Sequence, residues 1–500
     1  MANLEELVKD LPQVQVENLR PDLEVQGIAY DSRKVKPGDL FVSISGFRYD
    51  GHDFAPEAVR SGAVAVLGER ILPGLKVPQV IVPDSRKALG LVSAKFWQHP
   101  SRHLRVIGVT GTNGKTTTTF LVKSVLERAG LKTGLIGTIK NMIGSEEIKS
   151  SRTTPEASDL QELFARMLEA GVTHVVMEVS SHAVTLKRIV GTEFDIGIFT
   201  NITQDHLDFH ENFENYLAAK AKFFAGIGRD PWKTGPKAVI VNADDPASSR
   251  IIEESQVDVL TYGLSDGVNL RGLGLELNPN GTKFHVEACG QQAEFSVKFL
   301  GEFNVYNCLA AIGVGLVEGL DLATIKEALE ATGGVRGRAE LVDEGQDFAV
   351  VIDYAHTPDG LENILETARA FTAGRLWVVF GCGGDRDRTK RPKMGRIAGE
   401  LADFVVVTSD NPRSEEPAQI CADIVEGLKA VTEPKGYKVI VDRRDAIKYA
   451  LEAAEAGDVV VIAGKGHEDY QVFKDKIIHF DDREEAAEIL RALREENDES

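Results

Sequence analysis

A glycine-rich stretch, GTNGKT at residues 111–116, has the residue types that bind phosphate groups in proteins. Its glycines let backbone N–H groups converge on phosphate oxygens at the positive end of a following helix. Lys115 is expected to reach the β- and γ-phosphates of ATP, and the Thr116 hydroxyl is expected to bind Mg²⁺. The spacing differs from the usual P-loop, because a glycine stands at position 108 and Val109 occupies the place five residues before Gly114.

The segments on both sides of this stretch predict a strand, a loop and a helix. The run LRVIGVTG precedes it, and apolar residues then recur on one helical face that ends at Gly130. In this context a glycine-rich turn without a ligand is the less favoured interpretation. The apolar face consists of Leu121, Val122, Val125, Leu126 and Ala129. The predicted ATP-binding residues of the loop are Gly111, Thr112, Asn113, Gly114, Lys115, Thr116 and Thr117.

A candidate metal site follows two further apolar runs. Glu178 follows five largely apolar residues in THVVMEVSSH, where a buried carboxylate is costly without a cation. The stretch NITQDHLDFH adds His206, Asp208 and His210. The spacing of the two histidines leaves zinc as an alternative, although no HExxH motif or cysteine ligand accompanies them.

Lys220 interrupts the apolar face of a predicted helix in NFENYLAAKAKFFAGI. Phe213, Leu217 and Phe224 fall at i, i+4 and i+11, and Lys220 takes position i+7. A side chain that extends to the surface is the default interpretation of such a lysine. An inward lysine near Mg²⁺ would instead lose its proton more easily, because burial and like charge both disfavour the ammonium form. The neutral amine could then react with CO₂ to form a metal-binding carbamate, whereas Lys222 lies on another face and is an ordinary surface candidate.

An arginine at the tip of a predicted turn is a third candidate. Residues 405–417, VVVTSDNPRSEEP, form an apolar run that ends in Asp-Asn-Pro-Arg, typical of a strand leaving the core into a tight turn. A solvated loop charge is the default interpretation of a lone arginine such as Arg413. Three other apolar runs, in FAVVIDYAH, RLWVVFGCGGD and DVVVIAGKGHE, also end in Gly, Asp or His. Open α/β sheets bind ligands at the carboxyl ends of their strands, so these ends are expected to form a site.

Composition limits the class of protein. A chain of 500 residues exceeds one hydrophobic core, so roughly two to four domains are expected. A net charge of −20 argues against a surface that binds nucleic acid. The 4 cysteines show no CxxC spacing, which fits a reducing compartment and neither a disulfide framework nor a structural zinc site. The polar start MANLEELVKDLPQ and the absence of a long apolar stretch predict a cytoplasmic protein without a signal peptide or membrane insertion.

The order of the apolar runs predicts an α/β protein with three domains. Residues 1–98 carry short strands among Gly/Pro turns and predict a small α/β amino-terminal domain. In residues 99–333 strands alternate with helical periods, which predicts right-handed βαβ units and a central, P-loop-type, mainly parallel sheet with flanking helices. The strand pattern restarts after Gly333-Gly334, which predicts a Rossmann-like carboxy-terminal domain over residues 334–500.

The motifs, taken in order, resemble the Mur ligases, ATP-dependent amide-forming enzymes of peptidoglycan precursor synthesis. The matching pieces are GTNGKT, TTP, MEVSSH, DHLDFH, YLAAKAKFF, GEFNVYN, DYAHTPD, GCGGDRDRTKRP, DNPR and GKGHE, and YDSRKVKPGDLF resembles the family's amino-terminal domain. The sequence is similar to the members that add meso-diaminopimelate to UDP-N-acetylmuramoyl-L-alanyl-D-glutamate. The resemblance implies a UDP-substrate-binding domain at 1–98, an ATP-binding domain at 99–333 and an amino-acid-binding domain at 334–500.

The resemblance also implies the reaction. ATP would phosphorylate the terminal carboxylate of the UDP-muramoyl substrate, and the incoming amine would attack the acyl phosphate and expel phosphate. Catalytic roles would fall to Lys115, His206 and Lys220. Thr116 and Glu178 would hold one Mg²⁺, and His206 and the carbamate of Lys220 would lie near a second.

Substrate contacts are implied for three further sets of residues. The UDP-substrate set is Ser32, Thr153, Thr154, Ser180 and Arg188, and the additional ATP set is Asn304, Asn307, Arg338, Asp353 and His356. The diaminopimelate set is Arg386, Asp410, Asn411, Pro412, Arg413, Gly464 and Glu468. In this set the planar fork of Arg413 suits the distal carboxylate, and Glu468 suits the distal ammonium. Leu186, where relatives often carry Gln, and Arg336, where Val-Pro-Gly-Arg is more usual, depart from the family pattern.

Alternative functions fit less of the sequence. Folylpolyglutamate synthase shares the P-loop, the carbamate lysine and the amino-acid-adding domain, but it does not predict DNPR together with GKGHE. A non-catalytic nucleotide-binding switch would need no amino-acid pocket. An oxidoreductase would rest on GCGGDRD after WVVF, a glycine-rich turn that lacks GxGxxG. We expect a monomer that binds ATP, the UDP-muramoyl dipeptide and meso-diaminopimelate, and no nucleic acid.

Overall fold

The computed structural model of the protein describes residues 1–46, 49–150, 152–203, 212–229, 232–431 and 436–498. Contacts within the chain divide it into two compact units. Unit 1 comprises Met1–Arg271 with Leu309–Ile325, and unit 2 comprises Gly272–Cys308 with Lys326–Ser500. The domain boundaries near residues 98 and 333 stay a prediction. His206, Asp208 and His210 lie outside the described residues.

The helices and strands of unit 1 follow the alternation that the sequence predicts. Its strands are β1 Ala2–Asn3, β2 Gln15–Glu17, β3 Glu24–Val25, β4 Gly27–Ala29, β5 Asp39–Val42, β6 Ala65–Gly68, β7 Gln79–Ile81, β8 Arg105–Thr110, β9 Thr133–Ile136, β10 Lys140–Ile143, β11 Glu146–Lys149, β12 His174–Glu178, β13 Ile196–Phe199, β14 Ala238–Asn242 and β15 Asp258–Gly263. Its helices are α1 Leu4–Val8, α2 Ala55–Arg60, α3 Ser85–Phe96, α4 Lys115–Arg128, α5 Ala157–Glu169, α6 Ser181–Thr185, α7 Phe213–Phe224 and α8 Ser248–Glu254. Short 3₁₀ helices span Ser32–Lys34, Gly51–Phe54 and Pro100–His103.

Two parallel sheets organise unit 1. The amino-terminal sheet has the order β2-β7-β6-β5-β4, and its strands β4 to β7 run parallel. Every residue of β5 and β6 is buried, as a sheet covered on both faces requires. The larger sheet contains the order β11-β10-β9-β12-β8-β13-β14-β15, in which the strands from β9 to β15 are parallel and β10 and β11 form an antiparallel edge.

Strand β8 lies between β12 and β13, which brings three strand ends together. Val109 of β8 is opposite Glu178 of β12, and Thr110 of β8 is opposite Phe199 of β13. The loop that follows β8, the carboxylate at the end of β12 and the residues after β13 therefore meet at one edge of the sheet. This is the edge at which α/β sheets bind ligands.

The chain enters unit 2 within β16 (Leu270–Asn278) and passes between the units again within α9 (Glu302–Val317) and α10 (Leu322–Ala331). The remaining strands are β17 Gly281–Ala288, β18 Gln291–Val297, β19 Glu340–Val342, β20 Ala349–Asp353, β21 Leu376–Phe380, β22 Phe404–Val407, β23 Tyr437–Val439, β24 Val459–Ala463, β25 Tyr470–Val472 and β26 Ile477–His479. The remaining helices are α11 Pro358–Phe371, α12 Lys390–Leu401, α13 Pro417–Lys429, α14 Arg443–Ala453 and α15 Asp482–Asp498. Within the described ranges, no helix combines the length and the apolar character needed to cross a membrane.

The main sheet of unit 2 has the order β19-β20-β24-β21-β22-β23, with all but β19 parallel. Ala463 of β24 is opposite both Asp353 of β20 and Phe380 of β21, and Phe380 is opposite Val407 of β22. The four strands therefore end side by side. This register brings together the loops that carry DYAH, GCGGD, SDNPR and GKGHE at the carboxyl ends of the strands, as the sequence predicts.

Candidate active site

The loop after β8 has the backbone geometry of a phosphate-binding turn. Gly114 precedes α4 with a φ of 83°, a left-handed conformation that favours glycine. A Cβ on Gly111 would lie 1.8 Å from the Thr200 hydroxyl oxygen, so only glycine fits at this position. The Nζ of Lys115 donates to the carbonyl oxygens of Gly111 and Thr112 at 2.8 and 2.7 Å, which holds the ammonium group at the loop.

Thr200 and Asn201, which follow β13 and were not among the predicted site residues, hold this loop in place. The Thr200 hydroxyl donates to the carbonyl of Asn113 at 2.7 Å. The side-chain oxygen of Asn201 accepts from the Asn113 N–H, and its carbonyl accepts from the Thr112 N–H, both at 2.9 Å. The loop is thus fixed by bonds across the sheet before any ligand binds, which lowers the entropy cost of binding.

Helix α4 confirms most of the pattern read from its sequence. Leu121, Val122, Val125 and Leu126 are fully buried. Ala129, however, caps the helix and does not belong to its buried face, because α4 ends at Arg128. The predicted stop at Gly130 is confirmed by its left-handed φ of 79°. Thr116 and Thr117 are buried in the first turn of α4.

Glu178 is the buried carboxylate that the sequence predicts, with an exposure of 1%. Its Oε1 accepts from the Thr116 hydroxyl at 3.0 Å and from the Thr138 N–H at 2.8 Å, and its Oε2 accepts from the Thr138 hydroxyl at 3.0 Å. Hydroxyl and carboxylate oxygens are the ligands that Mg²⁺ prefers, so the donor set fits this ion. In the part of the chain that the structure describes, no group of three or more His, Cys, Asp or Glu side chains could hold a metal ion.

Lys220 lies inside unit 1, as its position on α7 predicts, with an exposure of 1%. Its Nζ donates to the carbonyl of Gly111 at 2.8 Å and lies 4.6 Å from the centre of the Tyr216 ring. Lys222 is exposed. The predicted burial of Phe213 is wrong, because its side chain is 38% exposed. Phe213 is the first residue of α7 and lies outside the core that contains Tyr216.

Four of the five predicted UDP-substrate residues lie beside Glu178. The Thr154 hydroxyl donates to the Glu178 carbonyl at 2.8 Å and accepts from the Ser180 N–H at 3.1 Å. The Thr153 hydroxyl is 3.0 Å from that of Thr138, and an Nη of Arg188 donates to the Thr154 carbonyl at 3.3 Å. Threonines, serine and arginine thus converge at the end of β12.

A carboxylate that the sequence analysis did not single out joins this group. Glu156 is buried and lies 3.0 Å from the Nε of Arg188. It also pairs with Arg152 and lies 3.8 Å from Arg86. Ser32 begins a 3₁₀ helix in the amino-terminal part, and among the described residues no hydrogen bond joins it to the other four predicted residues.

In unit 2, the DNPR and GKGHE turns are joined to each other. The side-chain amide of Asn411 donates to Asp410 Oδ1 at 3.0 Å and to Glu468 Oε2 at 2.8 Å. The Asn411 side-chain oxygen accepts from the Val472 N–H, and the Arg413 N–H donates to the Val472 carbonyl, both at 2.9 Å. Burial and the charge of Asp410 raise the pKa of Glu468, although Lys465 and Asn411 oppose this rise.

The guanidinium of Arg413 faces the glycine-rich turn after β21. One Nη donates to the Gly384 carbonyl at 2.9 Å and to the Asn411 carbonyl at 3.4 Å. A Cβ on Gly384 would lie 1.9 Å from the Pro412 carbonyl oxygen, so the two turns touch through their backbones. Arg413 is half-buried with a φ of 53°, whereas Arg386 is exposed. Arg413, Asp410 and Glu468 thus belong to one charged cluster on the joined turns of unit 2, whereas Arg386 is exposed.

The remaining predicted nucleotide residues form two groups within unit 2. Asp353 accepts from the Ala339 N–H at 2.7 Å, and burial raises its pKa. The guanidinium of Arg338 lies 4.6 Å from the centre of the Tyr354 ring, and the Tyr354 carbonyl is 2.8 Å from a ring nitrogen of His356. The second group is an amide pair, in which Asn307 donates to Asn304 at 2.9 Å.

Arg336, which departs from the family pattern, has a structural role. Its guanidinium pairs with the buried carboxylate of Asp481. Asp481 also accepts from the N–H groups of Arg483 and Glu484 at the start of α15. Arg336 therefore ties the loop before β19 to the carboxy-terminal helix, a contact that proline could not make.

A glycine-rich loop between a strand and a helix on one parallel sheet and a charged cluster on a second, Rossmann-like sheet are typical of a nucleotide-binding α/β enzyme. Residues 24–97 match the catalytic domain of the Mur ligase family, residues 109–315 match the Mur ligase middle domain, and residues 337–466 match the glutamate ligase domain. Each match lies inside one of the three predicted domain ranges.

Curated relatives and a solved structure agree with these matches. A protein of Syntrophomonas wolfei subsp. wolfei named UDP-N-acetylmuramoyl-L-alanyl-D-glutamate–2,6-diaminopimelate ligase is 49% identical, over 98% of this chain and 99% of its own. A protein of Clostridium botulinum with the same name is 47% identical, over 94% and 96%. A solved structure of a ligase of that name is 32% identical, covers 99% of both chains and has a TM-score of 0.71. The chain belongs to the Mur ligase family.

Proposed function

We propose that this protein uses ATP to join meso-diaminopimelate to the terminal carboxylate of UDP-N-acetylmuramoyl-L-alanyl-D-glutamate, a step in peptidoglycan precursor synthesis. The observation that carries the proposal is the charged cluster of unit 2, in which Arg413 and Glu468 stand on two turns that Asn411 and Val472 join. The distal end of diaminopimelate carries a carboxylate and an ammonium group, so it needs one cation and one anion facing it. The names of the relatives support the same assignment.

The chemistry divides into two steps. An oxygen of the substrate carboxylate attacks the γ-phosphorus of ATP, the bond from that phosphorus to the β–γ bridging oxygen breaks, and ADP leaves. The diaminopimelate amine then attacks the acyl carbon, the nitrogen loses a proton, and inorganic phosphate leaves with the electrons of the broken C–O bond. The ammonium group of Lys115 would stabilise the negative charge on the transferred phosphoryl group.

Thr116 and Glu178 are the described residues that would hold Mg²⁺, and the ion would supply charge neutralisation for the phosphates. We propose a carbamate on Lys220, formed when its neutral amine bonds to the carbon of CO₂ and a proton is released. Its burial and its contact with the Gly111 carbonyl support this assignment, because the resulting anion would lie at the phosphate loop. The catalytic role of His206 stays a prediction.

The group at the end of β12 would bind the UDP-muramoyl substrate. Thr153, Thr154 and Ser180 offer hydroxyl groups beside Glu178, and Arg188 offers a guanidinium for an anionic part of the substrate. The role of Ser32, the additional ATP contacts in unit 2, the monomeric state and the cytoplasmic location stay predictions.

Phosphate release from ATP tests the proposal. The purified protein is mixed with ATP, Mg²⁺ and the UDP-muramoyl dipeptide, and meso-diaminopimelate, lysine, glutamate or no amino acid is added. We expect rapid phosphate release only with diaminopimelate, together with a product whose mass equals both substrates less one water. Equal phosphate release without the dipeptide or without an amino acid would refute the ligase assignment, and a preference for glutamate would favour folylpolyglutamate synthase chemistry.

A further inference from the structure

A fully buried lysine belongs to the charged cluster of unit 2. Lys465 lies two residues after the end of β24, and its side chain has an exposure of 0%. Its Nζ donates to the carbonyl of Tyr470, lies 3.5 Å from Glu468 Oε2 and lies 3.9 Å from Asp410 Oδ1. Lysine is rarely buried completely unless a charge partner compensates for the lost hydration. Here two carboxylates share one ammonium group.

The two carboxylates are close enough to influence each other. Asn411 donates to both, which places their oxygens around one amide group. Burial, followed by the charge of Asp410, raises the pKa of Glu468, and Lys465 is the charge that most strongly opposes this rise. Without a cation, two neighbouring buried carboxylates retain a proton between them. A protonated Glu468 would no longer offer a full negative charge to an ammonium group.

The other charged and titratable groups around this pair come from several elements. They are Tyr354 after β20, Arg338 before β19, Arg413 after β22, Arg443 on α14, and His467, Asp469 and Tyr470 in the loop after β24. Arg443 is held by Asp482 through two bonds of 2.7 Å. Burial, followed by the charge of Arg338, lowers the pKa of His467 to about 4, so this ring is neutral in the working pH range.

Lys465 also fixes the loop that carries Glu468. Its bond to the Tyr470 carbonyl closes the loop from 465 to 470. The side-chain amide of Gln471 then donates to the Asp410 carbonyl at 2.7 Å, which fastens that loop to the DNPR turn. A change at position 465 would therefore alter both the charge and the position of Glu468.

We propose that Lys465 is a positioning residue for the incoming amino acid: it keeps Glu468 ionised and holds it where the distal ammonium of diaminopimelate binds. The inference rests on the proposed function and extends it to a residue that does not touch the substrate. The formal charges of Asp410, Glu468 and Lys465 sum to −1, which suits a substrate ammonium group.

The test compares Lys465→Met, Lys465→Arg and the exposed control Lys474→Met in the phosphate-release assay at about pH 7 and about pH 9. Lys465→Met should raise KM for diaminopimelate by about tenfold to a hundredfold at the lower pH, and by less at the higher pH, where Glu468 ionises again. KM for ATP and for the UDP-muramoyl dipeptide should stay unchanged. Lys465→Arg should restore most of the affinity, and Lys474→Met should match wild type.

Two results would overturn the inference. One is an unchanged KM for diaminopimelate in Lys465→Met, and the other is an equal rise at both pH values, which would mean that Lys465 only supports the fold. If Lys465→Met does not fold, Lys465→Gln replaces it, since glutamine removes the charge but keeps a side-chain N–H donor. This variant should show the same pH-dependent rise in KM for diaminopimelate as expected for Lys465→Met, and the same two results would contradict the inference. Wild-type enzyme that ignores diaminopimelate would refute the proposed function itself.

Discussion

Replacement of Arg413 tests whether its guanidinium recognises the distal carboxylate of diaminopimelate, as proposed. We expect Arg413→Ala to lose activity with diaminopimelate much more than with lysine, which has the same reacting amine but no distal carboxylate. The Nη that contacts the Gly384 and Asn411 carbonyls orients the guanidinium, which makes no other hydrogen bond or ion pair among the described residues. The rest of the planar fork is therefore available for a carboxylate.

The size of the effect follows from the burial of the side chain. Two charge-assisted hydrogen bonds to a carboxylate contribute about 1.5–3 kcal/mol each when desolvated, and Arg413 is only half-buried. A loss of about 2–4 kcal/mol is therefore reasonable, which corresponds to a fall of roughly 30-fold to 1,000-fold in kcat/KM for diaminopimelate. Lysine should fall by less than about threefold, because it makes no bond to the guanidinium.

The backbone of Arg413 provides a control for strain. Its φ of 53° disfavours any residue with a Cβ, so Arg413→Gly removes the guanidinium while it relaxes the turn. If the guanidinium matters, Arg413→Ala and Arg413→Gly should lose the same selectivity. The exposed Arg396, which pairs with Glu400 one turn away, gives a matched control as Arg396→Ala.

The assay measures kcat/KM for diaminopimelate and for lysine in wild type, Arg413→Ala, Arg413→Gly and Arg396→Ala. An unchanged diaminopimelate-to-lysine ratio in Arg413→Ala and Arg413→Gly would refute the reasoning, because Arg413 would then be an ordinary loop charge. A ratio that falls in the alanine variant alone would assign the effect to the shape of the turn.

Three further predictions concern the phosphate loop and the fold. Lys115→Ala should abolish measurable phosphate release, since several kcal/mol of transition-state stabilisation depend on its charge, and full activity would exclude the loop as the ATP site. Lys220→Ala should nearly eliminate turnover, whereas Lys222→Ala should not. Added short-chain carboxylates should partly restore the activity of Lys220→Ala. Phosphate release measures these activities, and intact mass spectrometry of the wild type detects the carbamate. Asp458→Asn should lower the free energy of unfolding by about 1–3 kcal/mol near neutral pH, because Asp458 accepts from backbone N–H groups and from the Trp377 indole. Burial alone would raise the pKa of Asp458, but these hydrogen bonds have the larger combined effect, so the pKa lies below its ordinary value. The stabilisation is therefore present above the ordinary pKa of an aspartate and is lost as the pH falls through the lowered pKa. Denaturant unfolding at neutral and at acidic pH should show that the difference in free energy of unfolding between wild type and Asp458→Asn shrinks in acid.

Local patterns predicted the parts of the fold that depend on neighbouring residues. The strand–loop–helix unit around Lys115 was predictable because glycines, an apolar run and a helical period follow each other directly in the sequence. The burial of Lys220 was predictable from its helical phase, yet the same phase was wrong for Phe213. Helical phase says which face turns inward, but it does not say where along the helix the core ends.

Residues that act across long sequence separations could not be predicted in this way. Thr138 donates twice to Glu178, forty positions further along the chain, and it lies in no recognisable motif. Asn201 holds the phosphate loop only because β13 pairs with β8 in one particular register. Such contacts depend on sheet order and register, which a single sequence does not fix.

The charged cluster of unit 2 shows why motif residues and their supports should be considered together. Arg413 and Glu468 belong to the DNPR and GKGHE motifs, but their positions depend on Asn411, Gln471 and Lys465, which contact both turns. A substitution in one turn therefore shifts the other, so a change of amino-acid specificity would require coordinated changes in both. Replacing Arg413 alone should weaken diaminopimelate binding without creating good binding of another amino acid, because Glu468 and its buried lysine would still present a site for an ammonium group at the same place.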